Sequence, residues 1–392
     1  MVEPLAAYAG EATIRAFLDL LEEQCSAYCI LGRCDDLPAT VHSDIDFMVS
    51  QEDYQRLPLI MQMLAQRTGF RLVRERRHEQ TGHRFDLART EAGRVLYLCP
   101  DACSDYRRHG RCWLRSAQVL AERRRHRNGF WIPRAADQFL YYLIKRLEKQ
   151  SLDAVHTEEL SRLFAEDPAG CAGSLDERLS AASARQVAAA ARSGEWQPVR
   201  EGGRVLFQEL LASASSDSLA WRLVGNPLRL ARLWLRPTGL WVAFAATPPV
   251  AVTPGAALDT ESYAEGLKIL FRGARRFHAG PGFFFGASGQ TLSAARLLRE
   301  WMDSVLVYFA RIRPLLTRTV LMVMEGGEDS QPPRGLARML AAITPRPQLV
   351  FTREPARSEP VSAPDAAMHD LLNRTLDLLA RRTARALHLD RS

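Results

Sequence analysis

The stretch Tyr28–Val49, YCILGRCDDLPATVHSDIDFMV, decides how the first half of the chain reads. Tyr28 to Leu31 is a short apolar strand that ends at Gly32. After the polar segment 34–43, Asp44 to Val49 forms a second strand. Side chains alternate across a strand, so Asp44 and Asp46 project to one face while Ile45 and Phe47 point to the other. Ser50 caps a helix with Asp53 in its first turn, and Gly69 ends it. Upstream, Ala12 to Tyr28 has the amphipathic stripe of a helix, with Ile14, Phe17, Leu18 and Leu21 on one side. Downstream, Arg71–Arg77, Arg84–Leu87 and Val95–Cys99 read as further strands. The order predicts a small mixed α/β sheet with helices on one side.

Two carboxylates on one face repel, and burying them without a counter-charge is costly, so a divalent cation is their natural neutraliser. Magnesium takes one or two carboxylates together with triphosphate oxygens. Such an ion clamps an α-phosphate and lowers the pKa of an attacking hydroxyl, which is the chemistry of nucleotidyl transfer. Gly32, without a Cβ, would let a phosphate approach the backbone closely.

Leu31-Gly32-Arg33, ten spacer residues and Asp44-Ile45-Asp46-Phe47 resemble the polymerase-β-like nucleotidyltransferase signature. The whole stretch, with LYLCPDACSDYRRHGR and FLYYLIKRLEK downstream, is similar to nucleotidyltransferase-like proteins associated with bacterial surface-polysaccharide genes. That likeness runs to about Cys171. It implies that Asp44 and Asp46 are catalytic metal ligands for Mg2+, that Gly32 and Arg33 meet the nucleoside triphosphate, and that a third carboxylate sits on a neighbouring strand. Asp86 and Asp101 both qualify, and Asp86 is preferred because it lies within an apolar strand. Where the broader superfamily has a serine that touches the terminal phosphates, this chain has Arg33, which either pairs with phosphate itself or blocks the site.

From Ser116 to Ala191 the pattern turns helical, strongest in QFLYYLIKRL at Gln138–Leu147, and a further helix is expected near 219–235. A second α/β pattern follows: strands Leu240–Ala245, Val320–Met324 and Leu349–Thr352 alternate with helices at 293–309, 335–343 and 366–386. Such alternation argues for a parallel sheet with covered faces. The polar stretch 354–364 reads as an exposed loop. RLWLRPTGLWVAF, RRFHAGPG and PRPQLVF resemble segments of thymidylate-kinase-like P-loop proteins. The glycine-rich phosphate loop and its lysine are missing, however. AATPPVAV follows the first strand, its prolines remove N–H donors, and Lys268 falls too far downstream to substitute. Acidic Glu325 and Asp329 have no arginine beside them, and His278 reads as a turn residue. The expected division is 1–134 nucleotidyltransferase-like, 135–235 a helical extension or linker, and 236–392 a degenerate, inactive kinase-like domain that serves docking, regulation of the first domain or dimerisation.

A chain of 392 residues with 47% hydrophobic and 25% charged residues can bury more than one core. The net charge of +7 suits anionic partners such as nucleotides, although arginine supplies nearly all of it and the only lysines are Lys145, Lys149 and Lys268. Arg123, Arg124, Arg125 and Arg127 read as a solvated helix end. Tyr106, Arg107, Arg108 and Arg111 read either as substrate contacts or as a surface loop. No aromatic-and-basic interleaving suggests nucleic acid. The seven cysteines lack CxxC spacing and read as reduced thiols. No signal segment or membrane span is expected, so the protein reads as cytoplasmic. The readings that remain are a Mg2+-dependent nucleotidyltransferase with an unidentified acceptor in surface-polysaccharide metabolism, or a catalytically inactive regulatory protein of the same pathway. In the inactive case, arginines would neutralise Asp44 and Asp46.

Overall fold

The computed structural model describes residues 6–78, 80–92, 94–216, 240–245, 266–267, 273–279, 319–325, 349–352 and 364–389. The chain divides into two compact units. One comprises Tyr8–Arg89, Tyr97–Asn226 and Asp377–Ser392; the other comprises Met1–Ala7, Thr90–Leu96 and Pro227–Leu376.

In chain order the early elements are β1 (Ala6–Tyr8), α1 (Glu11–Gln24), β2 (Tyr28–Ile30), β3 (Ile45–Val49), α2 (Gln51–Thr68), β4 (Arg71–His78), β5 (Gly82–Glu91), β6 (Arg94–Leu98) and β7 (Pro100–Cys103). The apolar stripe of α1 is buried, and Phe17 meets Phe47 of β3 edge-on at 5.4 Å between ring centres. Ser50 caps α2 by accepting from the Asp53 N–H, and Gly69 ends it in the left-handed conformation at φ 69°. The strands that matter for function lie in the order β5-β7-β3-β2, with β4 paired antiparallel to β5. β3 runs parallel to β7, whereas β2 and β5 are antiparallel to their neighbours, so the sheet is mixed. β7 was not expected as a strand. Pro100 is tolerated as its first residue, where its missing N–H costs least.

β8 (Asp105–Arg108) and β9 (Arg111–Arg115) form an antiparallel pair before α3 (Ser116–Ala121). The arginine run is not a helix end. β10 (Arg124–Arg125) pairs with β11 (Trp131–Ile132), Arg123 and Arg125 lie over the Trp131 ring, and Arg124 and Arg125 form ion pairs with Glu166 and Glu22. Then come α4 (Ala135–Lys149), α5 (Ala154–Glu166), α6 (Pro168–Asp176), α7 (Ala181–Ser193), α8 (Gln197–Ser213) and β12 (Ser215–Ser216), which pairs with β9. These helices share one apolar core with Cys29 of β2, Met48 of β3 and Trp113 of β9. The expected boundary between 134 and 135 therefore cuts through a continuous core. The helices are not an appendage to the sheet, because α4 covers its face.

In the other unit, β13 (Leu240–Ala245), β14 (Gly273–Ala279), β15 (Thr319–Glu325) and β16 (Leu349–Thr352) pair in parallel in the order β14-β15-β13-β16. His278 falls within β14 rather than in a turn, and Glu325 ends β15. The last element, α9, spans Pro364–Leu389, so Pro364 opens a helix instead of closing a loop. The helices expected at 219–235, 293–309 and 335–343, the segment 246–252, Lys268, Asp329 and the loop 354–363 lie outside the described residues. Among the described residues, no helix is long and apolar enough to cross a membrane.

Candidate metal centre

Strand register brings the acidic side chains together. Asp46 of β3 stands opposite Asp101 of β7, and Asp101 stands opposite Arg84 of β5. Directly opposed residues share a sheet face, so Arg84, Asp101 and Asp46 form a row across three strands. Asp44 enters this row from the residue before β3. One carboxylate oxygen from each of Asp44, Asp46 and Asp101 lies within 4.8 Å of the others, a spacing at which the three could hold a metal ion. The opposite face of β3 is apolar, with Ile45, Phe47 and Val49 all buried.

Protein cations flank the group. Arg84 Nη1 lies 3.0 Å from Asp44 Oδ2, and Lys145 of α4 donates to Asp46 Oδ2. The Lys145 ammonium also lies 3.1 Å from the Tyr141 hydroxyl. Burial, together with the charges of Asp46 and Asp44, pushes the Asp101 carboxyl up to about 7.

Asp86, preferred from the sequence, belongs elsewhere. Its carboxylate is wholly buried and accepts from Arg74 Nε at 2.5 Å and from Arg84 Nε at 3.0 Å. Burial alone would raise its pKa, but the two guanidinium groups outweigh that and hold it below the usual carboxylate range. Asp86 thus sits in a structural pair beside the acidic group. The apolar strand that recommended it is what encloses it.

Gly32, Arg33, Asp44 and Asp46 open onto a cleft of about 370 Å³ whose other wall carries Lys145, Arg146, Lys149 and His156. Gly32 is left-handed at φ 75°, a conformation that disfavours any residue with a Cβ, and its carbonyl accepts from the Gln138 side chain. Arg33 lines the cleft and faces Asp36 at 3.6 Å. The Tyr142 hydroxyl and His156 Nδ1 are 2.8 Å apart. Burial, then Arg146, hold the His156 imidazole below its ordinary value. Burial, then Lys145 and Arg146, do the same to Lys149.

The cationic wall was missed in the sequence, although it left a signal. In a chain whose positive charge is nearly all arginine, Lys145 and Lys149 stand one helical turn apart with Arg146 between them. Tyr106, Arg107, Arg108 and Arg111 do not line the cleft. They lie on β8 and β9, where Tyr106 is buried against Tyr141 at 4.7 Å between ring centres.

No family model and no curated protein matches the chain. Among solved structures, a candidate nucleotidyltransferase from H. pylori superposes at a TM-score of 0.26 with 12% identity, over 52% of this chain and 95% of its own. JHP933 from Helicobacter pylori gives 0.24 and 11%, over 56% of this chain and 96% of its own. At TM-scores this low neither match carries weight, and the site stands on its own geometry.

Proposed function

We propose that Asp44, Asp46 and Asp101 hold a divalent cation, Mg2+, and that the cleft binds a nucleoside triphosphate whose nucleotidyl group passes to a hydroxyl or phosphate on an acceptor. The observation that supports this best is the convergence of three carboxylates within 4.8 Å, two of which, Asp44 and Asp46, line a cleft together with Gly32. Burial, then the charges of Asp46 and Asp44, raise the Asp101 carboxyl, and a cation in place of its proton relieves the repulsion among the three. Bound there, the ion would supply Lewis acidity at the α-phosphate and acidify the attacking hydroxyl. The left-handed turn at Gly32 keeps a side chain off the loop, and Lys145 brings a fixed positive charge to the acidic group. The resemblance to surface-polysaccharide-associated proteins suggests an acceptor from that chemistry.

For residues 236–392, the parallel order places the first strand between the third and fourth. This supports a P-loop-kinase-like ancestry, and the sequence AATPPVAV supports loss of phosphate transfer there.

One observation favours a second reading, a non-catalytic regulatory protein: Asp44 and Asp46 already have Arg84 and Lys145 as counter-charges. The two readings separate in a thermal-shift screen of nucleoside triphosphates with Mg2+ or Mn2+, alongside Mn2+ binding followed by electron paramagnetic resonance. On the first reading the wild type binds Mn2+ and is stabilised by one triphosphate only with the cation, by about 2.7 kcal/mol at a hundredfold excess over Kd. The Asp44→Asn/Asp46→Asn variant keeps its circular dichroism and loses both effects. If the double variant responds like the wild type, the first reading fails; if the wild type binds no cation, the second holds.

A further inference from the structure

The cleft lined by Asp44 and Asp46 also gathers a group of cationic side chains. Arg33, Arg146, Lys149 and His156 all line it. Among the described residues their acidic ion-pair partners are few and loose: Asp36 at 3.6 Å from Arg33, and Asp153, a largely exposed side chain, at 3.6 Å from His156. Arg146 lies over the Tyr142 ring at 4.8 Å, and its Nε is buried with no hydrogen-bond partner among the described residues. Lys145, on the same helix, is committed to Asp46. Like charges held together in a partly closed cleft repel each other; burial, then the charges of Lys145 and Arg146, hold the Lys149 ammonium below its ordinary value. A buried guanidinium N–H without an acceptor adds a desolvation cost that a bound anion would remove.

We infer that Arg33, Arg146 and Lys149 form a phosphate subsite that binds its ligand without a divalent cation. Two guanidinium forks and an ammonium match the oxygens of a phosphate or polyphosphate better than they match a single carboxylate. The identity of the phosphate rests on the nucleotidyl-transfer reading: it is either the tail of the triphosphate or a phosphate on the acceptor. The subsite itself does not depend on that reading. It also gives Arg33 a role in which it stands in for the expected serine instead of blocking the site.

The test is calorimetric titration of inorganic tripolyphosphate into the full chain with EDTA present. Binding is expected, weakened on the order of tenfold by Arg146→Gln and by Lys149→Gln, and unchanged by Arg127→Gln outside the cleft. Lys149 is exposed, so its variant is a safe check if Arg146→Gln disturbs folding, which circular dichroism will report. The Asp44→Asn/Asp46→Asn variant should still bind tripolyphosphate, which separates this inference from the metal reading. Repeating the titration with saturating nucleoside triphosphate and Mg2+ names the source. Exclusion assigns the subsite to the triphosphate tail, and simultaneous binding assigns it to the acceptor; either supports the subsite. Absence of binding by the wild type, or equal weakening by Arg127→Gln, overturns it.

Discussion

At the scale of single residues, Arg84 ties two carboxylates of different kinds together. Its Nε serves buried Asp86 and its Nη1 serves Asp44 at the cleft. Asp86 cannot be a ligand without abandoning two largely buried arginines, and breaking a buried pair of this kind costs roughly 3–5 kcal/mol. Asp44 is a third exposed, and its ion pair is correspondingly screened, within about 1 kcal/mol. Asp86→Asn should therefore lower urea-measured stability by about 3 kcal/mol, whereas Asp44→Asn should change it by less than about 1 kcal/mol. Equal losses in the two variants would show that Asp86 is not the structural member of the pair.

At the scale of elements, Asp53 ties α2 to the segment that leads into β2. Asp53 Oδ2 accepts from the Ser26 N–H at 2.9 Å and from the Ser26 and Ser50 hydroxyls, both at 2.7 Å. Burial works to raise this carboxyl, but those hydrogen bonds hold it below its ordinary value. A depressed folded pKa makes the contribution full above the unfolded value near 4 and removes it as pH falls through the folded value. Asp53→Asn should cost about 2 kcal/mol at neutral pH and much less once pH has fallen through the lowered folded value, seen as converging wild-type and variant melting curves in acid. The Ser50–Asp53 signal was legible in the sequence, as were α1, β2, β3 and the long apolar face of α4, because local periodicity and capping chemistry write them. β7 was not. Pro-Asp-Ala-Cys has little strand propensity, and only its parallel pairing with β3 makes it a strand. For the same reason Asp101 ranked below Asp86: its place in the acidic group comes from a long-range register that no local pattern records.

At the scale of the whole molecule, the sheet and the helices after residue 134 form one core, with Phe139, Leu140, Tyr141 and Leu143 of α4 packed with Met48 and Cys29. The end of α9 joins the same unit: Thr383 donates to the Val73 carbonyl of β4 at 2.9 Å, and Arg71 pairs with Asp377 at 2.7 Å. A fragment 1–134 loses Lys145 and the cover over Met48. It should give no cooperative melting transition and rapid amide exchange, whereas a folded, protected fragment would show that α4 is dispensable. The row Arg84–Asp101–Asp46 has a further consequence. Since neighbouring strands are held about 4.8 Å apart by backbone hydrogen bonds, the carboxylate spacing is fixed by the main chain. Inserting one residue between Asp101 and the start of β7 would keep every side chain in the chain yet put Asp101 out of phase, facing the far side of the sheet. The acidic centre is thus a reading frame as much as a composition, and a single-residue slip would silence it without changing any of its letters.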